Sequence, residues 1–438
     1  MLLKFHSCLC SVAKSNLGGN PSKSRNRICG IDLTDSPDVV VVGAGPCGSF
    51  SAFAAAKLGV DVVVCEEHKE IGVPAHCPGH LSLSGLNRLE LQLPAAVVEN
   101  EFNGAIFCSP SGKQFTVRLD SPVTCVVNRE LFDRYLSELA IKAGALYQLQ
   151  SRVESLAFEK GFVKGVVVSR GGSRETLTSK MVIDAEGVTS ALLKKAGVQT
   201  LDRSMVVNAV QAEVEGTDDL DEDTVEVYLG QKYAPGFFAW IIPERDGSAK
   251  VGLATKSGDP RDYLHRFTHN HPIASKKLEK SEITNLSFHP MSLGGPIPKT
   301  YSKGFLIVGD AASQVKPTTG GGVIFGLLCS KAAGEVAYEA VRNDDFSEAF
   351  LSRYQRQWKE EVGFDLGVMR QIRKLLDRLS DKQMDKIISL CTELEIDRVV
   401  EEVGDLDFQG KSLIRMVRYP GVLAVALYSL FSSLTSPV

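Results

Sequence analysis

The chain has 438 residues, 44% of them apolar and 23% charged, the balance of an ordinary folded protein and not of a disordered or collagenous one. A formal net charge of −4 argues against a nucleic-acid partner. The longest clean apolar run, Val422 to Tyr428, falls far short of the ~20 residues that a membrane-spanning helix needs, and ten cysteines without ladder spacing point to a reducing, cytoplasmic setting.

The charge is unevenly placed. No acid precedes Asp32, where Lys4, Lys14, Lys23, Arg25 and Arg27 give +5, and none follows Asp407, where Lys411, Arg415 and Arg418 give +3. Residues 32–407 therefore carry −12. Residues 1–35, basic and rich in Ser, Gly and Asn, read as a disordered leader, with a transit peptide as the alternative.

In chain order, Asp38–Val42 reads as a short buried strand, Ser49–Leu58 as a small-residue helix and Val60–Cys65 as a second strand, together a βαβ unit. Arg129–Ala143 has apolar positions at helical period and ends at Gly144. Alternation over Leu156–Val168, Val206–Val214 and Thr224–Leu229 suggests antiparallel strands. Phe305–Val308 reads as another buried strand, followed by a glycine-rich turn and an apolar helix from about Gly322 to Val341. Beyond Asp344 the pattern is helical.

Gly43-Ala-Gly45-Pro-Cys-Gly48 lies between strand and helix, where such glycines cradle a pyrophosphate. Gly43 permits the turn, Gly45 admits the phosphate and Gly48 lets the helix approach the strand. The helix dipole favours the negative charge. Glu66, at the end of the second strand, is placed for ribose hydroxyls. Three further segments favour FAD over NAD. Arg129, opening the second helix, is placed to reach a dinucleotide phosphate. Val182-Ile-Asp-Ala-Glu-Gly187 ends a strand. Leu306-Ile-Val-Gly-Asp-Ala-Ala312 with Gly320–Gly322 supplies Asp310 for ribitol or ribose hydroxyls and backbone donors near Gly322 and Val323 for a reduced flavin ring. Ser49 and Val153 complete the candidate cofactor contacts.

These segments resemble the flavoprotein superfamily that includes aromatic hydroxylases, over most of residues 36–345. Glu186 stands where that superfamily usually has Asp. The resemblance implies an α/β fold: a Rossmann-like FAD-binding domain (36–76, 124–200 and 299–345), an antiparallel β substrate domain (77–123 and 201–298) and a C-terminal helical region (346–438).

Two more segments narrow the family. Pro74-Ala-His-Cys77-Pro-Gly79 and Pro235-Gly-Phe237-Phe-Ala-Trp240-Ile-Ile-Pro243 resemble elements of the geranylgeranyl reductase family, notably archaeal-type digeranylgeranylglycerophospholipid reductases. Pro78 departs from the small residue common in that family. The resemblance implies hydride transfer from reduced flavin to isoprenoid double bonds of prenyl lipids, with NADPH or ferredoxin as electron donor. Cys77 is a candidate proton donor, or a residue shaping the pocket, with His76 and His80 placed to tune its thiol. Phe237 and Trp240 are candidate substrate contacts, although strict alternation turns them to opposite faces. Cys47 reads as filling a small-residue slot, and His265, His269 and His271 as a polar helix end or loop without metal. A flavin monooxygenase and an electron-transfer flavoprotein serving quinone remain the alternatives. Residues 411–438, cationic and apolar but too short to span, suit either a peripheral membrane contact or a docked last helix.

Overall fold

Val39–Val42 is four valines, each buried on both faces, as expected of a central parallel strand. The computed structural model describes residues 36–405 and 407–435, so the leader expected over 1–35 lies outside the described residues. Val39–Val42 is the fourth strand of a six-stranded sheet ordered Tyr301–Ser302, Phe305–Ile307, Met181–Asp184, Val39–Val42, Val62–Cys65 and Leu146–Gln148. All pairs are parallel except the edge pair formed by Tyr301–Ser302.

The helices Pro46–Lys57, Arg129–Ala143 and Val323–Asn343 share one core with this sheet. The first begins inside the glycine motif, three residues ahead of expectation, because Pro46 occupies the first helical turn, where its missing N–H costs nothing. The second runs over the expected residues: the Asn128 side chain accepts from Leu131 N at 3.1 Å, and Gly144 ends it in the left-handed region.

The other side of the sheet shares a core with a three-stranded antiparallel sheet, Arg152–Glu159, Phe162–Arg170 and Ser173–Thr178. The alternation seen over Leu156–Val168 is thus a hairpin and not one strand. Lys160 and Gly161, both at positive φ, make its two-residue turn, across which the alternation continues.

A seven-stranded sheet runs Glu282–Ser292, Val206–Glu215, Ala249–Thr255, Phe238–Pro243, Thr224–Leu229, Gly104–Cys108 and Gln114–Arg118. It is antiparallel except between Thr224–Leu229 and Gly104–Cys108. A small sheet of His80–Ser82, Thr124–Val127 and Val98–Phe102 carries the end of the Cys77 segment.

The C-terminal helices are Glu348–Trp358, Phe364–Leu376, Asp381–Glu393, Ile396–Val403, Gln409–Met416 and Pro420–Thr435. Tyr354 donates to the Ile307 carbonyl at 2.8 Å, and Trp358 Nε1 to Thr300 Oγ1 at 2.9 Å. These bonds tie the region into the parallel-sheet layer. The last two helices meet at a bend of 113°, and no single helix among the described residues is long and apolar enough to cross a membrane.

Candidate active site

One cavity of about 950 Å³ extends from the glycine loop to the C-terminal helices. It lies at the carboxyl ends of the parallel strands, where open α/β sheets place their ligands. Gly43, Gly45, Glu66, Cys77, Arg129, Val153, Asp310, Gly322, Val323, Phe237 and Trp240 all line it. Of the sequence candidates only Gly48 and Ser49 stand behind the lining. Ser49 Oγ donates to the Ala44 carbonyl at 3.0 Å and so fixes the loop from within.

The three glycines divide their work. A Cβ on Gly43, which has φ +90°, would lie 2.7 Å from the Ala185 carbonyl oxygen, and one on Gly48 would run into the carbonyl of Gly43. A Cβ on Gly45 would meet no protein atom within 4 Å. The Gly45 side of the loop is thus open, as a bound pyrophosphate requires. Glu66 accepts from Ala44 N at 2.7 Å through one oxygen and from His68 N at 2.9 Å through the other. A carboxylate has about four acceptor sites, so its capacity for ribose hydroxyls is not exhausted. Cys47 packs its sulfur against Gly309 and Gly326, and burial pushes its thiol up to about 12.

Across the cavity, Gly322 precedes the 21-residue helix Val323–Asn343, whose first turn holds no acid. Gly322, Val323 and Ile324 line the cavity at this positive helix end, with the Asp310 carboxylate packed against Gly322. Burial raises the Asp310 carboxyl, while His289 and Arg129 pull it back down. Glu186 accepts from Leu192 N at 2.8 Å, while its own N–H donates to Asp184 at 3.0 Å. The longer side chain thereby caps the following short helix. These features fit FAD.

The Cys77 loop differs from expectation in its electrostatics. His80 is half-buried and paired with Thr124 Oγ1 at 2.8 Å, and the loss of solvent around its ring pushes its pKa down to about 4. His76 stacks on His289 at 5.4 Å between ring centroids, and burial lowers both rings. Neither neighbour is therefore a cation at neutral pH. The charge beside the Cys77 sulfur is Arg129, which also donates to both oxygens of Asp133 at 3.1–3.2 Å. The Cys77 sulfur itself accepts from Gly79 N at 3.5 Å.

A buried ionic junction supports this loop. Lys250, 6% exposed, donates to the Pro78 carbonyl at 3.3 Å, pairs with Glu99 and lies 3.0 Å from Glu244. Glu99 in turn accepts from Asn128, the cap of the helix that carries Arg129. Nothing in the local sequence pattern links Lys250 to Cys77.

The substrate sheet supplies an apolar wall. Phe237 and Trp240 face the same cavity, contrary to strict alternation, because Phe237 lies outside the strand Phe238–Pro243, just after the Gly236 turn. Within the strand, Phe238, Trp240 and Ile242 alternate toward the cavity, and Phe237 stacks on Phe238 at 4.2 Å. The C-terminal region adds Arg373, Leu376, Met384 and Ile387 from its helices and Leu379 from the connection between two of them, all of which sequence reasoning missed as cavity lining. Their apolar periodicity signals a buried face without saying what it covers.

His265 and His269 lie on the helix Pro260–Asn270 and His271 stands at its end, the helix end expected, but the His271 ring points inward. It is fully buried, with its Nε2 3.2 Å from the Ser109 carbonyl and its Nδ1 accepting from Ile273 N and Ala274 N. Among the described residues no group of side chains is arranged to hold a metal ion.

The model of the FAD binding domain family matches residues 36–327. A digeranylgeranylglycerophospholipid reductase of Methanocaldococcus jannaschii is 35% identical over 365 residues, 83% of this chain and 92% of that protein. A second such protein, from Methanopyrus kandleri, is 34% identical over 370 residues, with the same coverage of both chains. The chain belongs to the digeranylgeranylglycerophospholipid reductase family. A geranylgeranyl bacteriochlorophyll reductase-like protein of Thermoplasma acidophilum, 28% identical, superposes with a TM-score of 0.80 over 90% of this chain and 99% of that one. A flavin-dependent brominase shares the fold at 18% identity and a TM-score of 0.67. Membership in the reductase family and the FAD-binding domain together make this chain an FAD-dependent oxidoreductase.

Proposed function

We propose that the chain saturates geranylgeranyl double bonds of prenyl phospholipids. The observation that carries this reading is the continuity of one cavity between the FAD-type cradle and the aromatic wall. Bound and reduced FAD supplies the hydride. Phe237, Phe238, Trp240 and Ile242 hold an isoprenoid chain by apolar contact and exclude water from the reacting carbons. An isolated alkene offers no oxygen for charge stabilisation, so alignment must supply much of the rate. As one alkene carbon takes the hydride, the Cys77 thiol gives its proton to the other, and the sulfur regains a proton from solvent. Arg129 steadies the sulfur between these events. NADPH or ferredoxin provides the electrons.

The test is anaerobic. The purified flavoprotein, reduced with dithionite, is mixed with a geranylgeranyl phospholipid, and mass spectrometry follows gains of two hydrogens per bond. Hydroxylated product in air with no such gain overturns the reductase reading in favour of a monooxygenase. Cys77→Ser keeps the bound-flavin spectrum and slows reduction at least ~10-fold if the thiol is the acid. Unchanged turnover removes that role.

The same lipid gives the C-terminal helix a setting. Val422 is buried, whereas Leu423, Leu427, Leu430 and Phe431 leave an exposed apolar stripe, with Phe431 68% exposed. Together with Lys411, Arg415 and Arg418, this supports peripheral contact with an anionic bilayer. Leu427→Ser with Phe431→Ser is expected to abolish flotation on anionic liposomes. Unaltered flotation rejects the contact.

A further inference from the structure

Two ion pairs of the same spacing sit at this cavity, and they differ. Arg129 and Asp133, four apart on one helix, close three hydrogen bonds between them. Arg373 and Asp377, four apart near the end of another, meet through a single contact of 2.6 Å from Nη2 to Oδ1, and Arg373 Nε is buried without a hydrogen-bond partner. Arg373 is 3% exposed and lines the cavity, its guanidinium 6.0 Å from the centre of the Phe237 ring. Its neighbours along the wall are Leu376, Leu379 and Met384.

A cation among such neighbours is costly, and a buried donor without an acceptor adds to that cost. An ion pair that served only to fasten the helix would close its own bonds, as Arg129 and Asp133 do. Lys256 lies 3.9 Å from the other oxygen of Asp377, so two cations face this one carboxylate. Elsewhere on the wall, Trp240 Nε1 is another buried donor without an acceptor. An apolar tail alone would satisfy neither donor.

We infer that Arg373 recognises the phosphate group of the lipid substrate, with Nε–H donating to a phosphate oxygen inside the cavity. Planar guanidinium groups match phosphate oxygens in geometry and charge. This inference rests on the prenyl-lipid reading of the same cavity, and it makes the reductase select phosphorylated prenyl lipids over neutral prenyl alcohols.

The test measures binding separately from turnover. Titration calorimetry of the FAD-loaded protein compares geranylgeranyl phosphate with geranylgeraniol for wild type, Arg373→Met, Arg373→Lys and Asp377→Asn. Arg373→Met is expected to lower the preference for the phosphate about 10- to 100-fold, and Arg373→Lys to retain part of it. Asp377→Asn, which removes the competing carboxylate, is expected to raise that preference, and it stands as an independent test should Arg373→Met fail to fold. Equal losses for phosphate and alcohol in Arg373→Met, or no change in Asp377→Asn, overturn the assignment. Inorganic phosphate that binds as tightly as geranylgeranyl phosphate makes this a free-phosphate site, and also overturns it. Wild-type protein that binds the prenyl phosphate selectively but reduces no double bond leaves the phosphate site standing and removes the reductase reading.

Discussion

Gly45 and Gly48 stand three positions apart and are expected to respond differently to one added methyl group. At Gly45 the methyl meets no protein atom within 4 Å, so Gly45→Ala leaves the melting temperature of the FAD-free protein unchanged. It weakens FAD binding roughly 10-fold or more, the usual scale of overpacking a filled site. At Gly48 the methyl meets the Gly43 backbone, so Gly48→Ala lowers the FAD-free melting temperature by several degrees. Melting curves with and without FAD separate the two, and identical behaviour would contradict the cradle. The tight turn at Gly43 and the close approach at Gly48 were legible from the spacing of the motif alone. The surroundings of Cys77 were not: adjacency in sequence suggested His76 and His80, but the cation comes from Arg129 on another element. His80, half-buried, and His271, fully buried, bear instead on acid stability. Burial holds both near pKa 4 in the folded state, whereas the unfolded chain titrates near ~6.5. Between those values the unfolded state binds protons that the folded state does not. The stability is therefore present above pH ~6.5 and lost as pH falls toward 4. Melting temperatures from pH 7 to 4 should fall through this window, with a shallower slope in His80→Asn. An equal slope in that variant would clear His80 of the effect.

At the scale of elements, periodicity located most strands and helices, and the failures have local causes. The alternation over Leu156–Val168 runs unbroken across both strands of a hairpin because its turn takes only Lys160 and Gly161. Phe237 was assigned a face by alternation although it precedes its strand. The junction at Lys250 has no signature in sequence at all, since Glu99, Glu244 and Pro78 reach it from three separate segments. Its removal has a specific expected outcome. Lys250→Met leaves two carboxylates facing each other, at a cost of about 3–5 kcal/mol for an uncompensated buried charge. Burial already raises the Glu99 carboxyl, so acid neutralises it early. The deficit in the urea midpoint should accordingly be large at pH 7.5 and smaller at pH 5.5. A deficit independent of pH would mean that the lysine acts through packing alone.

For the whole molecule, the glycine motif, the Asp310 segment and the two family-like elements carried the reading from fold to chemistry. What stayed hidden was the contribution of residues 346–435. Phe350, Leu351, Tyr354, Trp358, Val362, Leu366 and Met369 belong to the same core as the parallel sheet, so this region is no detachable appendage. Which helical face meets the cavity depends on packing between segments hundreds of residues apart, and periodicity does not encode that. The continuity of the cavity has a thermodynamic consequence. Cofactor cradle and aromatic wall share one continuous space, so their occupants are reciprocally linked: any free energy by which bound FAD favours the lipid is the free energy by which bound lipid retains FAD. A family member loaded with lipid should hold its flavin more tightly than an empty one, by the same factor by which bound flavin tightens its hold on the lipid, and the substrate then acts as a guardian of the cofactor.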